Sequence, residues 1–239
     1  MNKLNLWDKK AKTFPRYKED LSAIQKESFG IFEALGLDFN GKSLIDVGCG
    51  TGVWTLHLAQ KAKTVLALDA SNAMLEILKE DSLRLNLSNI TCKNSDFEGF
   101  YTCFKDKFDI AFSSMSPALN KKEDYEAFLN LAPCRIYLGW QEYRQSDFLE
   151  PIFKALGARQ KCFNDDDIES YLKKEGIKFE KQVFDETRRN EKSKEVALEN
   201  ALWHLNMAGL EPSPQELEKF VKAETIIEVV KSKIKLLIF

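Results

Sequence analysis

The stretch Leu44-Ile45-Asp46-Val47-Gly48-Cys49-Gly50-Thr51-Gly52 constrains this chain more than any other. A short apolar run, long enough for one buried strand, ends in three glycines at alternate positions. Val53 to Ala59 then reads as a helix. Glycine permits a sharp backbone turn and lets a ligand come nearer than any Cβ would allow. At the C-terminal end of a first parallel strand, such a loop lies where open α/β sheets bind their ligands.

The rest of the chain fits that placement. Residues 1–37 read as helical, with Leu21, Ile24, Phe29, Ile31, Phe32 and Leu35 near a 3.6 period and Gly36 at a helix end. Strand and helix signals then alternate. Strands are expected at 64–68, 90–94, 108–112 and 135–140, and helices at 72–81 and 121–131. Such alternation implies βαβ units and a parallel sheet. Later, 165–174 looks helical and 177–184 alternates as a strand. The charged stretch Asp185–Glu195 leads into a helical segment around Trp203. Ser213, Pro214 and Glu216 form a helix start signal, and 234–239 is an apolar run suited to a last buried strand.

The glycine spacing narrows the ligand. A dinucleotide fingerprint asks for G-x-G-x-x-G, and here the third glycine falls one place early, at Gly52. That disfavours a nicotinamide-linked oxidoreductase. No phosphate-loop motif occurs. Asp46, just before the loop, would repel a pyrophosphate and suits a cationic or ammonium-bearing ligand. Asp69 ends the next strand, where a carboxylate can accept hydrogen bonds from both ribose hydroxyls of a nucleoside.

In this order and spacing the segments resemble the class I S-adenosylmethionine-dependent methyltransferases. Asp46, Gly48, Gly50 and Gly52 match the family's glycine loop, and Asp69-Ala70-Ser71 its ribose-binding strand end. Asn94-Ser95-Asp96-Phe97 is similar to the acidic motif that contacts the adenine amino group. Phe108 to Ser114 resembles the fourth strand, which borders the methyl donor. The resemblance covers about residues 1–140, since Trp7-Asp8-Lys9-Lys10-Ala11 through Tyr17 is similar to the family's N-terminal entry. It implies a Rossmann-like, doubly wound α/β sheet of seven strands, mostly parallel with an antiparallel last strand. The expected divisions of this single domain are an N-terminal helical cap at 1–37, the core sheet and donor site at 38–184, a helical insertion at 185–225 and the last strand at 226–239. The donor S-adenosylmethionine, or its product S-adenosylhomocysteine, is then expected to meet Asp46, Gly48, Cys49, Gly50, Gly52, Asp69, Ala70, Met74, Asp96, Phe97 and Ser114. Trp7, Phe14, Tyr17 and Trp140 are expected as aromatic walls, because a sulfonium favours aromatic faces, with Phe14 and Trp140 read otherwise as ordinary core.

Blander readings stand beside these. Asp69 and Asp96 can each cap a helix or form a turn. Cys49 suits packing as a small residue better than a reactive thiol. Pro133-Cys134 opens the fifth strand rather than following the fourth, which argues against a cytosine-C5 nucleophile. Ser114 to Asn120 stands where amino-methylating nucleic-acid enzymes carry Asn-Pro-Pro-aromatic. His57 reads as structural. His204 is a weak candidate for a general base, and a surface histidine otherwise. Two isolated histidines and scattered cysteines show no zinc spacing, so no metal is expected.

The donor's methyl group is already activated, so the enzyme expected here needs orientation more than a nucleophile of its own. With Lys+Arg 35 against Asp+Glu 37, the net charge is −2. That balance argues against a polyanion binder and for a small-molecule acceptor, with nucleic acid disfavoured. An RNA or protein acceptor and a non-catalytic, donor-binding regulatory protein are the alternatives. The insertion at 185–225 is long enough to serve as a lid, expected to pack with the N-terminal helices over the donor and shape the acceptor site. No apolar run spans a bilayer, no signal peptide is evident, and five cysteines fit a reducing compartment, so a cytoplasmic location is expected.

Overall fold

A computed structural model describes residues 3–142, 144–159 and 167–239. In chain order the elements begin with α1 (Lys3–Ala11), α2 (Ala23–Ala34), β1 (Ser43–Val47), α3 (Thr55–Ala59), β2 (Thr64–Asp69) and α4 (Asn72–Arg84). They continue with β3 (Ile90–Asn94), α5 (Phe97–Cys103), β4 (Ile110–Ser114), α6 (Lys122–Leu131) and β5 (Cys134–Trp140). The last third holds β6 (Gln145–Ser146), α7 (Leu149–Ala155), α8 (Ile168–Lys174), β7 (Glu180–Ser193), α9 (Lys194–Met207), α10 (Pro214–Glu218) and β8 (Thr225–Ile238). The described residues fall into two compact units. The larger comprises 7–139, 167–182 and 235–239, and the smaller 3–6, 140–142, 144–159 and 183–234.

In the larger unit, β3-β2-β1-β4-β5 pair in that order, all parallel. β1 is central and covered on both faces, which is why it reads as a near-continuous apolar run: Leu44, Ile45 and Val47 are fully buried. The chain winds outward from β1 to β3, then returns to β4 on β1's other side. That reversal opens a crevice at the C-terminal ends of β1 and β4. Arg135 and Phe239 exchange both backbone hydrogen bonds, the mark of an antiparallel pair, so the end of β8 runs against β5. α2 starts in a capping box made by Ser22 and Gln25 and stops before Gly36, whose φ of 69° is the left-handed form glycine adopts most readily.

The smaller unit has a core of its own. Leu149, Ile152 and Phe153 of α7 pack with Ala201 and Leu205 of α9 and Leu217 of α10. β6 pairs antiparallel with β8, Ser146 opposite Val230. β7 also pairs with β8. The Lys194 amide donates to the Glu224 carbonyl, so the chain leaves β7 and re-enters β8 at the same end.

The sheet therefore has eight strands rather than the expected seven. The extra strand, β6, is two residues long, too short to leave a periodic trace. The expected helical insertion at 185–225 is also corrected. β7 continues to Ser193 and β8 begins at Thr225, so only 194–224 lies between them. Charge hides the strand signal, because Glu186, Arg188 and Lys192 occupy positions where apolar residues would announce alternation. Their partners lie within the ladder: Arg188 pairs with Glu186, Ser232 donates to Glu186, and Lys192 pairs with the fully buried Glu228. On α9 the buried positions are Ala197, Ala201 and Leu205, a single stripe, while Val196 is exposed. α8 starts at Ile168, capped by Asp167, within the helix expected at 165–174; Asp165 and Asp166 lie outside the described residues.

Candidate functional site

The glycine loop leaves β1 and bends across the end of β2, with the Gly48 and Cys49 amides both donating to the Leu68 carbonyl at 2.8 and 3.0 Å. Two of its glycines are demanded by their neighbours. Gly48 has a φ of 72°, and a Cβ there would lie 1.7 Å from Ser116 Oγ; Gly52 has a φ of 81°, and a Cβ would lie 2.2 Å from Leu78 Cδ1. The loop is thus wedged between the segment after β4 and α4. Gly50 differs, since a Cβ there would meet nothing nearer than Phe14 Cε1 at 3.7 Å.

Asp69 ends β2 and faces this loop. Its Oδ2 accepts from the Gly50 amide and its Oδ1 from the Ser71 amide, each at 2.8 Å. Burial pushes its carboxyl above the usual range, against those hydrogen bonds. Ala70 follows, its carbonyl accepting from Asn94 Nδ2 at 2.8 Å. Met74 sits buried in the first turn of α4. Asp46, 2% exposed, accepts from Thr55 Oγ1 at 2.6 Å. Burial pushes its pKa up to about 7, with Thr55 pulling it down and Asp69 adding a smaller like-charge push. Burial also raises the Cys49 thiol, which removes the thiolate a reactive cysteine needs.

Asp96 caps α5, its Oδ1 accepting from the Gly99 amide at 2.6 Å. Phe97 is buried in the core cluster, edge-on to Tyr101 at 5.1 Å. Ser114 ends β4, half-buried. The next residue, Met115, has a φ of 53°, a strained conformation for a side chain with a Cβ and a recurrent feature of functional loops.

The N-terminal segment passes over the loop. Trp7 meets Phe14 edge-to-face at 6.2 Å, and Phe14 is the side chain beside Gly50. Thr51 Oγ1 donates to the Pro15 carbonyl at 2.6 Å, and Arg16 grips the buried Asp81 through two hydrogen bonds. Tyr17 is buried, its hydroxyl accepting from Gln60 Nε2 at 3.1 Å and its ring 4.6 Å from that of His57. Burial lowers the His57 pKa. His204 belongs to α9 of the smaller unit, where its ring meets that of Trp203 edge-on at 4.8 Å.

The structure thus gathers Asp46, the glycines, Asp69 and Ala70 around one loop, with Phe14 above it. Sequence reasoning missed four groups there: Thr55, which partners Asp46; Asn94, which ties the end of β2; Met115; and Asp8, which accepts from the Ser71 hydroxyl at 2.6 Å. Asn94 and Asp8 stood inside segments noted for their resemblance, but their roles depend on partners distant in sequence. Among the described residues, no group of three or more His, Cys, Asp or Glu side chains could hold a metal ion. Nor is any described helix long and apolar enough to cross a membrane.

Residues 44–133 match a family model described as a methyltransferase domain. An uncharacterized protein of Haemophilus influenzae is 29% identical over 163 residues, covering 63% of this chain and 55% of that protein. A ubiquinone biosynthesis O-methyltransferase of Actinobacillus pleuropneumoniae is 30% identical over 94 residues, covering 38% of this chain and 36% of that protein. The chain therefore spans about half, or less, of the length of these relatives. The crystal structure of YcgJ protein from Bacillus subtilis superposes with a TM-score of 0.53 at 12% identity, across 89% of this chain and 98% of that one. That likeness concerns the fold alone. The matched segment runs from the buried β1 through the glycine loop and α6 to just before β5, so residues 44–133 are similar to a methyltransferase domain.

Proposed function

We propose that the protein transfers a methyl group from S-adenosylmethionine to a small-molecule acceptor. One observation carries the reading: the Asp69 carboxylate is fixed by the Gly50 and Ser71 amides at the lip of a loop left open at Gly50. Each carboxylate oxygen has a lone pair beyond the one its amide uses, so both can accept from a ribose diol. Asp69 is then the ribose anchor. Gly48, Cys49, Gly50 and Gly52 provide a side-chain-poor backbone for the amino-acid end, and Asp46 a carboxyl whose ionised form a cationic donor favours. Ala70, Met74, Asp96 and Phe97 are assigned to the adenine side, and Ser114, Trp7 and Tyr17 to the walls. Phe97 and Tyr17 are buried among other side chains, so they serve by shaping the pocket.

Bound there, the donor supplies a methyl group on a sulfonium, ready for in-line displacement. The chain's own contribution is orientation and exclusion of water, and orientation alone can be equivalent to roughly 10⁵ M or more of effective concentration. His204 is the candidate for taking a proton from the acceptor. The near-neutral charge and the named O-methyltransferase relative support a small acceptor. Calorimetric titration with S-adenosylhomocysteine tests the donor site. Wild type is expected to bind, and Asp69→Ala to weaken binding by about a hundredfold, as the loss of two charge-assisted hydrogen bonds predicts. Equal affinity of the two proteins would overturn the assignment. Release of S-adenosylhomocysteine across a panel of small acceptors then identifies the second substrate.

A further inference from the structure

A run of hydrogen bonds leads from the N-terminal helix into the glycine loop. The Ser71 hydroxyl donates to Asp8 Oδ1 at 2.6 Å, the Ser71 amide donates to Asp69 Oδ1 at 2.8 Å, and the Gly50 amide donates to Asp69 Oδ2 at 2.8 Å. Ser71 is 1% exposed and is the N-cap of α4, its oxygen accepting from the Met74 amide at 3.3 Å. A serine in that position already supplies the cap a helix needs. Yet Asp8 reaches the same terminus from far along the chain, also receiving the Ala73 amide at 3.4 Å.

Simple anchoring of the N-terminal segment is a weak account of this second carboxylate. Thr51, Arg16 and Tyr17 already fasten the residues that follow. Asp8 also carries an electrostatic cost, adding to burial in pushing the Asp69 carboxyl toward its protonated form. What Asp8 alone provides is a fixed direction for the Ser71 hydroxyl, on the residue whose amide orients Asp69.

We propose that Asp8 is a positioning residue for the methyl donor: it locks Ser71, and through Ser71 it sets the direction in which Asp69 presents its carboxylate to the ribose hydroxyls. The inference rests on the reading of Asp69 as the ribose anchor. It also makes donor affinity depend on the N-terminal helix being in place, since Asp8 belongs to α1.

Calorimetry on the full chain tests it, with S-adenosylhomocysteine and with an analogue of it lacking the 2′ and 3′ hydroxyls. Asp8→Ala is expected to weaken S-adenosylhomocysteine by about tenfold, equivalent to about 1.4 kcal/mol. The same substitution should leave the dideoxy analogue within about twofold, because that ligand offers Asp69 nothing to hold. Asp8→Asn keeps an oxygen that accepts from Ser71 and should recover most of the affinity. A general loosening of the fold would weaken both ligands alike. That outcome, an unchanged Asp8→Ala, or an Asp8→Asn no better than Asp8→Ala overturns the role of Asp8. A wild type that does not bind S-adenosylhomocysteine, or an Asp69→Ala that binds it normally, overturns the ribose anchor instead.

Discussion

Asp46 places a carboxyl inside a buried strand with a single hydroxyl, that of Thr55, donating to it. Burial pushes its pKa up to about 7, whereas in an unfolded chain it would titrate near about 4. Between those values the folded protein holds a proton that the unfolded chain has released. Its contribution to stability is therefore complete below about pH 4 and is lost as pH rises through about 7. Asp46→Asn cannot ionise and still offers Thr55 an acceptor. It should gain melting temperature relative to wild type as pH rises from about 5 to about 8; a difference constant over that range would mean that Asp46 is ionised throughout. Asp46, the glycines and Asp69 were legible in the sequence because backbone geometry and one carboxylate at a strand end are local properties. Thr55 was not, because nothing near residue 55 reveals that its hydroxyl meets a strand nine residues earlier.

Among the elements, α8 shows how charge secures a short helix. Glu169, nearly buried, takes hydrogen bonds from Lys173 of its own helix, from Lys181 at the start of β7 and from Lys235 of β8. Lys235 is itself 1% exposed and also pairs with Asp167, the cap of α8. Burial raises the Glu169 pKa, but the three ammonium groups outweigh it and bring it down to about 2. Because the folded value lies below the unfolded one, its contribution is present above about pH 4.5 and is lost as pH falls toward about 2. Glu169→Gln should therefore lower the melting temperature at neutral pH and lose that deficit in acid. Thermal unfolding followed by circular dichroism across that range checks it, and a deficit independent of pH would assign the effect to packing. The same use of charge concealed β7: a strand whose polar side chains find partners across a ladder has no apolar alternation to read.

For the molecule as a whole, each of the two units can be tested separately. The residues proposed to hold the donor, Asp46, Asp69 and the glycine loop, belong to the larger unit, and α9 and α10 to the smaller. Within the smaller unit the Trp203 indole donates to the Leu6 carbonyl at 3.0 Å. Trp203→Ala should therefore lower the melting temperature while leaving affinity for S-adenosylhomocysteine within about twofold. A loss of donor affinity in that variant would overturn the expectation that its effect stays within the smaller unit. The sequence by itself determined the parallel core, the glycine loop and the carboxylate at the end of β2, because these follow from periodicity and from backbone freedom over a few adjacent residues. Only the tertiary structure decided the lengths of β7 and β8, the added strand β6, the strained Met115 and the contact of Asp8 with Ser71. Each of these depends on groups far apart in the chain, whose energies appear only when folding brings them together.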